Sequence, residues 1–277
     1  MLRFSLSLFV SLFVCFPVSA NAEPSETSWV EHGGMLSSRI VAASQELSPG
    51  GGVMLAWEAK LAPGWKTYWR SPGEAGLPVR VFIEDKELDP FYPLPERFEL
   101  FGIQTFGYSH QLLLPFEIEK PSVGPLKIRV DFMVCKDICV PFRQDYQLDV
   151  GKADAKTSNH DIRFETWLSK VPAQGTGAMY GLEILGARVA GKVGHQKLIV
   201  EVRGKTDLLS ADLLAEVNDM FHFGIPKIRL LEDGKAARMV LSAMTGAKPE
   251  DLRGQRVRLT FTDGRGAAID RMIELPK

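Results

Sequence analysis

The chain has 277 residues, of which 45% are hydrophobic, 24% charged and 9% aromatic. Apolar content of this size can build a hydrophobic core, so the composition excludes a chain that is disordered throughout. The formal net charge is −1, from 33 basic and 34 acidic residues. This balance argues against a nucleic-acid-binding protein and against a polybasic membrane-surface binder. The length is typical of one large domain or two of medium size.

The N-terminal residues have the pattern of a secretory signal peptide. Arg3 supplies a positive charge, residues 4–16 are mostly apolar, and residues 20–22 form an A-x-A cleavage pattern. The alternative is an uncleaved anchor, but the apolar run is short for a membrane span. We therefore predict a signal peptide at residues 1–22, cleavage after Ala22 and export to the periplasm.

Short segments rich in Val, Ile, Phe and Tyr, broken by Gly, Pro and Asp, predict β-strands in the rest of the chain. Residues 128–134 show the pattern clearly, because the side chains on one face are Ile, Val, Phe and Val. Many short strands without intervening helical periods are typical of antiparallel sandwiches. The predicted strands cover residues 53–57, 79–83, 112–118, 128–134 and 146–150, then 182–189, 197–202, 228–231, 237–241, 257–261 and 267–273.

Residues 151–159 are small and polar, which predicts a linker. The prediction is therefore an all-β protein with two β-sandwich domains, at residues 23–150 and 160–277. A short helix is expected at residues 162–171, from the spacing of its apolar side chains. Asp-Gly pairs at 233–234 and 263–264 provide turn chemistry for hairpins in the second domain.

The cysteines point to one pair. Of the three cysteines, Cys15 leaves with the signal peptide, so Cys135 and Cys139 remain. Two nearby thiols in an oxidising compartment tend to form a disulfide. Four extended residues at about 3.3 Å each would place them about 13 Å apart, whereas a disulfide needs Cα atoms within about 7 Å. We therefore predict a turn through residues 136–138, with the cysteines opposite each other in a hairpin.

Three roles remain open for this pair on the residues alone. A ring of five residues gives a structural staple worth only about 2 kcal/mol, and a short ring on an exposed turn favours thiol–disulfide exchange. Two thiolates could instead bind Cu(I). Lys136 favours a thiolate at Cys135, whereas Asp137 opposes it. No zinc site is predicted, since the histidines at 32, 110, 160, 195 and 222 lack ligand spacing.

Two further segments are rich in aromatic or apolar residues. Residues 64–73 contain three aromatic side chains within five positions. We interpret them as core and sheet-edge packing, with a partner-binding surface as the alternative. Residues 97–102 are interpreted as an apolar loop bounded by Pro95 and Gly102. The sequence contains no nucleophile–His–acid signature and no phosphate loop, and no cofactor is predicted.

Together, residues 64–78, 95–108 and 134–141 resemble the N-terminal periplasmic domain of DsbD-type thiol:disulfide interchange proteins. The similarity is strongest to the branch known as suppressor of copper sensitivity protein B, through GWKTYWRSPG at 64–73 and CKDICVP at 135–141. FHFGIP at 221–226 and LTFTDGR at 259–265 resemble the second extracytoplasmic domain of that branch. The resemblance covers nearly all of the mature chain.

The resemblance implies an immunoglobulin-like first domain with a reactive dithiol. By this analogy Cys139 forms mixed disulfides with partners and Cys135 resolves them. The family also places a cap over the dithiol, although its better-known members carry an aromatic residue at the position of Leu100 and use a longer cysteine spacing. The implied cap and partner surface consists of Glu99, Leu100, Phe101, Gly102, Phe106 and Tyr108. The residues flanking the dithiol are Lys136, Asp137 and Pro141.

The resemblance also implies partners. Electrons would come from a membrane thiol reductase of the DsbD/CcdA type and pass to periplasmic disulfide proteins with a thioredoxin fold. Full-length relatives continue into a membrane domain and a thioredoxin-like domain, whereas this sequence ends at Lys277 without either. We therefore expect a separate membrane protein to reduce Cys135 and Cys139. A Cu(I)-binding protein, or an interaction module with a structural disulfide, is the alternative.

Overall fold

The computed structural model describes residues 26–48, 51–100, 102–119, 124–150, 158–175, 181–218, 220–246 and 248–277. The predicted signal peptide and all but two residues of the predicted linker lie outside these ranges. Within them the protein consists of β-strands arranged in two sandwiches, with one α-helix, α1 (Asp161–Leu168). The predicted all-β fold is therefore confirmed. The exact domain boundaries remain our proposal.

The first sandwich packs a four-stranded sheet against a seven-stranded sheet. The first sheet has the order β1-β2-β3-β9, and the second has the order β6-β5-β10-β4-β8-β7, with β11 paired to β10. The strands are β1 (Val30–His32), β2 (Leu36–Ala42), β3 (Val53–Leu61), β4 (Lys66–Gly73), β5 (Arg80–Ile83), β6 (Lys86–Glu87), β7 (Glu96–Leu100), β8 (Ile103–Ser109), β9 (Gln111–Ile118), β10 (Leu126–Cys135) and β11 (Cys139–Leu148). A short 3-10 helix, Gln45–Leu47, lies between β2 and β3.

The second sandwich has sheets of four and five strands. Their orders are β12-β20-β19-β15 and β13-β14-β18-β16, with β17 paired to β18. The strands are β12 (Ala173–Gln174), β13 (Leu182–Ala190), β14 (Lys197–Gly204), β15 (Asp212–Glu216), β16 (Phe221–Phe223), β17 (Lys227–Leu231), β18 (Ala236–Thr245), β19 (Arg256–Thr262) and β20 (Ala268–Glu274). The predicted Asp-Gly turns lie where expected, the first as the 3-10 helix Glu232–Gly234 between β17 and β18 and the second between β19 and β20.

Strand β10 shows how the sequence pattern produces the fold. Ile128, Val130, Phe132 and Val134 are buried, while Asp131 lies on the opposite face. A strand places successive side chains on opposite faces, so the apolar set faces the core and the polar set faces outward. The predicted alternation is confirmed, and it fixes which face of the sheet carries the cysteines.

Residues 97–102 do not form the loop that the sequence predicts. Residues up to Leu100 belong to β7, which pairs antiparallel with β8 along its whole length. The backbone hydrogen bonds of this segment are therefore satisfied by a hairpin partner that follows directly in the sequence. The apolar composition is a property of a half-buried strand rather than of a plug.

A buried polar network lies in the first core. The His32 imidazole Nε2 is 2.8 Å from Ser38 Oγ, which in turn lies 2.6 Å from the hydroxyl of Tyr146. Trp57 Nε1 donates to the same hydroxyl at 3.2 Å. Phe132 packs against the edge of the His32 ring with the centroids 5.1 Å apart. The network joins both sheets, because His32 belongs to one of them and Tyr146 to the other.

The two sandwiches are joined by ion pairs. Arg70 of β4 contacts Glu216 at 2.7 Å and Asp270 at 3.2 Å, and its guanidinium also donates to Thr260 Oγ1 at 3.0 Å. Asp270 is 1% exposed and is also held by Arg258 at 2.6 Å. A buried carboxylate with two guanidinium partners satisfies the requirement that buried charges be paired. The contact therefore orients the second sandwich against β4.

A second contact between the sandwiches lies farther along the same sheet. Arg97 of β7 makes a bidentate contact to Asp212 of β15, with nitrogen–oxygen distances between 2.9 and 3.2 Å. Its guanidinium also lies over the ring of Phe106, 4.8 Å from the centroid. Leu214 of β15 completes the interface by packing into the first hydrophobic core. Bidentate geometry makes this contact directional as well as attractive.

The free energy of unfolding should decrease as the pH is lowered below neutrality, in part because of His32. Burial lowers the pKa of His32, with a smaller opposing effect of Glu31. The unfolded chain therefore binds this proton at higher pH than the folded protein. The contribution of the neutral His32 ring to the free energy of unfolding is fully present above the unfolded-state pKa of about 6.5. It is lost progressively as the pH falls below that value. We expect His32→Asn to flatten the decrease in free energy of unfolding between about pH 7 and pH 5, measured by urea titration.

The exposed His110→Asn variant is the control for this experiment. Burial also lowers the pKa of His160, so part of the pH dependence should persist in the His32 variant. An unchanged slope after His32→Asn would contradict the assignment.

The ion pairs of Arg70 between the sandwiches should contribute more to stability than an exposed ion pair within one sandwich. Arg70→Met removes a buried cation that faces two carboxylates, and we expect a loss of about 3 kcal/mol in the free energy of unfolding. Arg80→Met is the matched control. Arg80 pairs with Glu87 but is 49% exposed, so its loss should be below about 1 kcal/mol. Urea unfolding of both variants measures the difference, and equal losses would contradict a structural role for Arg70.

Candidate functional site

The predicted hairpin carries the disulfide. Cys135 ends β10 and Cys139 begins β11, and the two residues are directly opposite each other in the antiparallel ladder. Their Cα atoms are 4.2 Å apart and their sulfur atoms are bonded. In the turn, the backbone N–H of Lys136 donates to the carbonyl of Ile138 at 3.1 Å. The three-residue turn thus brings the cysteines together without any distant contact, as the spacing predicts.

The two sulfurs lie in different surroundings. Cys135 is 0% exposed, because β10 lies between β11 and β4 at this point. Cys139 is exposed, since β11 pairs with β10 and, within the described residues, with no strand on its other side. A partner can therefore approach Cys139 but not Cys135. Sequence spacing gives no indication of this asymmetry.

Tyr68 of β4 contacts the exposed sulfur. Its hydroxyl lies 3.9 Å from Cys139 Sγ and can donate a hydrogen bond to it. Burial raises the pKa of Tyr68, so the hydroxyl stays protonated. The Tyr68 ring packs against the backbone at Gly76, and a Cβ atom on residue 76 would come within 2.3 Å of the ring. Tyr68 thus acts as a fixed donor beside the sulfur that a partner would attack.

Lys66 lies two residues before Tyr68, on the same face of β4. Its position in the ladder is directly opposite Cys135. The side chain is only 7% exposed, and Nζ lies 3.4 Å from Thr105 Oγ1 and 4.8 Å from the centroid of the Phe98 ring. The sequence alone does not identify Lys66 or Tyr68 as site residues. Both nevertheless lie in the aromatic segment 64–73, which the sequence does mark as unusual, and Tyr68 and Trp69 of that segment are buried.

The predicted flanking residues lie in and beside the turn. Lys136 is exposed and its side chain packs over Gly64, whose φ of +83° and missing Cβ leave room for it. Asp137 is exposed in the turn. Pro141 is exposed and pairs with Met133, on an edge strand where a residue without an N–H is tolerated. The surroundings of the exposed sulfur therefore carry both charges and apolar surface.

The predicted cap residues do not all lie on a surface. Glu99 and Gly102 are exposed, and the backbone of Leu100 pairs with Ile103 in the β7–β8 hairpin. Phe101 lies outside the described residues. The cap itself therefore stays a prediction.

Phe106 and Tyr108 occupy interior positions. Phe106 is half-buried between Trp69, with ring centroids 6.4 Å apart, and Arg97. Tyr108 is 3% exposed, and its hydroxyl donates to the carbonyl of Pro93 at 2.8 Å. Tyr108 cannot form part of a partner surface, because strand β8 directs it into the core. Phe106 supports the contact between the sandwiches instead.

A cleft of about 910 Å³ opens between the two sandwiches beside the hairpin. One wall includes Pro141 and Arg143 of β11, and the other includes Val217, Phe221 and His222. Its edge at Pro141 is two residues from Cys139. The size is within the range of sites that hold a small ligand or a short peptide.

No metal centre or membrane helix is found in the described ranges. No group of three or more His, Cys, Asp or Glu side chains there is arranged to hold a metal ion. None of the helices in those ranges has the length and apolar character that a membrane crossing requires.

Comparisons with known proteins support the predicted resemblance. Residues 37–150 match the family model described as "Thiol:disulfide interchange protein DsbD, N-terminal". Residues 170–272 match a model described as a domain of unknown function (DUF8393). The comparison with curated protein sequences returned no match. The similarity to DsbD-type N-terminal domains is thus confirmed, and it supports a thiol:disulfide interchange module in the first sandwich.

A solved structure extends the likeness to both sandwiches. The N-terminal periplasmic domain of ScsB from Proteus mirabilis superimposes with a TM-score of 0.74 at 21% sequence identity. The match covers 91% of this chain and 99% of that one. At this identity the likeness concerns the fold, and it supports the predicted immunoglobulin-like sandwiches.

The unequal burial of the sulfurs should be visible in thiol reactivity. In Cys135→Ser the free thiol is the exposed Cys139, and in Cys139→Ser it is the buried Cys135. We expect the first variant to react with a maleimide faster by on the order of tenfold or more, because access and thiolate character govern the rate. Stopped-flow labelling of the folded variants measures both rates, and labelling of the urea-unfolded variants is the control. Equal rates in the folded state would contradict the asymmetry.

Proposed function

We propose that the chain is a periplasmic thiol:disulfide interchange protein that cycles Cys135 and Cys139 between dithiol and disulfide. Its electrons come from a membrane thiol reductase of the DsbD/CcdA type and go to periplasmic disulfide proteins with a thioredoxin fold. The observation that carries the proposal is a disulfide on an edge hairpin with one exposed and one buried sulfur. The signal-peptide pattern supports the compartment, and so does the likeness to a ScsB domain that is itself periplasmic.

The forward reaction begins with the reduced protein. The thiolate of Cys139 attacks one sulfur of the partner disulfide, the partner S–S bond breaks, and the second partner sulfur leaves as a thiolate. This gives a mixed disulfide between Cys139 and the partner. Cys135 then loses its proton to solvent and attacks Cys139 Sγ, which breaks the bond between Cys139 and the partner and releases the partner sulfur as a thiolate. The partner leaves with both of its sulfurs reduced, and the Cys135–Cys139 bond forms again.

The geometry supports these roles through access. Only the exposed Cys139 can meet a partner sulfur, while Cys135 stays within bonding distance of it across the hairpin. Tyr68 donates to Cys139 and stabilises its thiolate, both when Cys139 attacks and when it leaves. The partner segment that carries the reacting cysteine would lie along the cleft beside Pro141.

The alternatives explain fewer observations. A staple on a five-residue ring contributes only about 2 kcal/mol, and it does not require that one sulfur be exposed. Cu(I) binding needs two thiolates, whereas the structure holds both sulfurs in a disulfide. Copper binding therefore applies only to the reduced protein, and thiol protection that a copper chelator reverses would identify it.

The first test is the reduction potential of the pair. Equilibration in glutathione or dithiothreitol buffers, with the redox state read by thiol labelling, should give a value above about −250 mV, as expected of an exchange protein. A value below about −300 mV marks a structural disulfide and would contradict the proposal.

The second test is trapping of the intermediate. Cys135→Ser should accumulate a mixed disulfide with an oxidised thioredoxin-fold protein, because resolution is removed. Cys139→Ser is the matched control and should trap on the order of tenfold less, since its remaining thiol is buried. Equal trapping by the two variants would contradict the assignment of Cys139 as the attacking residue and Cys135 as the resolving residue.

A further inference from the structure

Lys66 is a buried cation next to the buried sulfur. Residues directly opposite in neighbouring strands have Cβ atoms about 4.5–5.5 Å apart and on the same face. Lys66 and Cys135 are such a pair, across the β4–β10 ladder. The four-carbon stem of a lysine easily spans this separation. The ammonium group of Lys66 can therefore reach Cys135 Sγ by a change of rotamer.

Within the described part of the chain, no carboxylate contacts this lysine in the disulfide form. Among the described residues its contacts are the Thr105 hydroxyl and the face of the Phe98 ring. Burial lowers the pKa of Lys66, and no carboxylate offsets this effect. A cation buried without an opposite charge is unfavourable, so a negative charge that forms nearby in another state of the protein would stabilise it.

Other charged and titratable groups lie around this pair. Glu96 on β7 accepts hydrogen bonds from the backbone N–H and the hydroxyl of Ser109, the residue opposite Lys66 on β8. Lys136 and Asp137 lie exposed in the turn, and Tyr68 on β4 contacts the other sulfur. Glu99 on β7 and His110 after β8 are exposed. None of them has a described contact with Lys66.

We propose that Lys66 is the electrostatic partner of Cys135, and that it stabilises the thiolate that Cys135 becomes when the disulfide opens. This inference rests on the proposed function of the same pair. When a donor thiolate attacks Cys139 Sγ, the Cys135–Cys139 bond breaks and Cys135 leaves with the bonding electron pair. The anion forms beside the ammonium of Lys66, which turns from Phe98 toward it. No proton or electron is needed from elsewhere to form this ion pair.

The ion pair favours the reduced form of the protein. An opposite charge within about 4–6 Å lowers the pKa of an acid by about one to three units. Cys135 becomes a better leaving group during reduction, and the equilibrium with a thiol buffer shifts toward the dithiol. Conversely, the Cys135 thiolate raises the pKa of Lys66, so the lysine should titrate differently in the two redox states.

The test compares Lys66→Met with Lys66→Arg and Lys136→Met in glutathione buffers at pH 7. We expect Lys66→Met to shift the equilibrium toward the disulfide by about tenfold, which for a two-electron couple is about 30 mV. Lys66→Arg keeps the charge and should stay within about threefold of the wild type. Lys136→Met removes an exposed cation beside the same cysteine and should change the equilibrium less than about twofold, because water screens it.

A second measurement uses the wild-type chain and does not depend on whether a variant folds. The Nζ signal of Lys66 in ¹⁵N-lysine NMR should titrate at higher pH in the reduced protein than in the oxidised one. The proposal is overturned if Lys66→Met leaves the equilibrium within about twofold of the wild type, or if Lys66 titrates identically in both redox states. Both readouts are differences, so they remain decisive even if the absolute potential were that of a structural bond and the proposed relay failed.

Discussion

Strand β10 hydrogen-bonds to β11 on one edge and to β4 on the other, and its last residue is Cys135. This double pairing decides the surroundings of both sulfurs. It closes the space around Cys135, and it leaves Cys139 on an edge strand. If the register slipped by one residue, Cys135 would turn into the core and the disulfide could not form across the hairpin. The site therefore depends on the alternating apolar residues of β10, whose burial fixes that register.

Strand β4 then connects the dithiol to the rest of the protein. One face carries Lys66 opposite Cys135 and Tyr68 beside Cys139. After Tyr68 the pairing with β8 becomes irregular, and in this part of the strand Arg70 contacts Glu216 and Asp270. One short strand thus holds the charge next to the buried sulfur, the donor next to the exposed one and the ion pairs to the second sandwich. The same ion pairs hold Glu216, which lines the cleft together with Pro141 of the hairpin.

Local features could be predicted from the sequence, and contacts between distant residues could not. The hairpin and its disulfide follow from a spacing of four residues, and the burial of β10 follows from period-two alternation. The contact of Tyr68 with Cys139 spans 71 residues, and no local pattern encodes it. The prediction for Tyr108 was wrong for the same reason, since an aromatic residue in an amphipathic strand can face either side until the sheet is assembled. The resemblance supplied the cysteine roles but gave no sign of Lys66.

The unequal burial of the two sulfurs determines which of them is attacked in the proposed reaction. A donor thiolate can reach only the exposed Cys139, so the sulfur released when the protein is reduced is Cys135, inside the sheet. A thiolate formed there is not hydrated, so it is unfavourable unless the protein provides a positive charge beside it. Lys66 is the described cation placed opposite it, and in the disulfide state it has only a hydroxyl and an aromatic face as neighbours. In the disulfide state this buried lysine has no carboxylate partner among the described residues, and in the reduced state it gains the Cys135 thiolate. The interaction of Lys66 with its surroundings in the sheet therefore changes with the redox state of the Cys135–Cys139 pair.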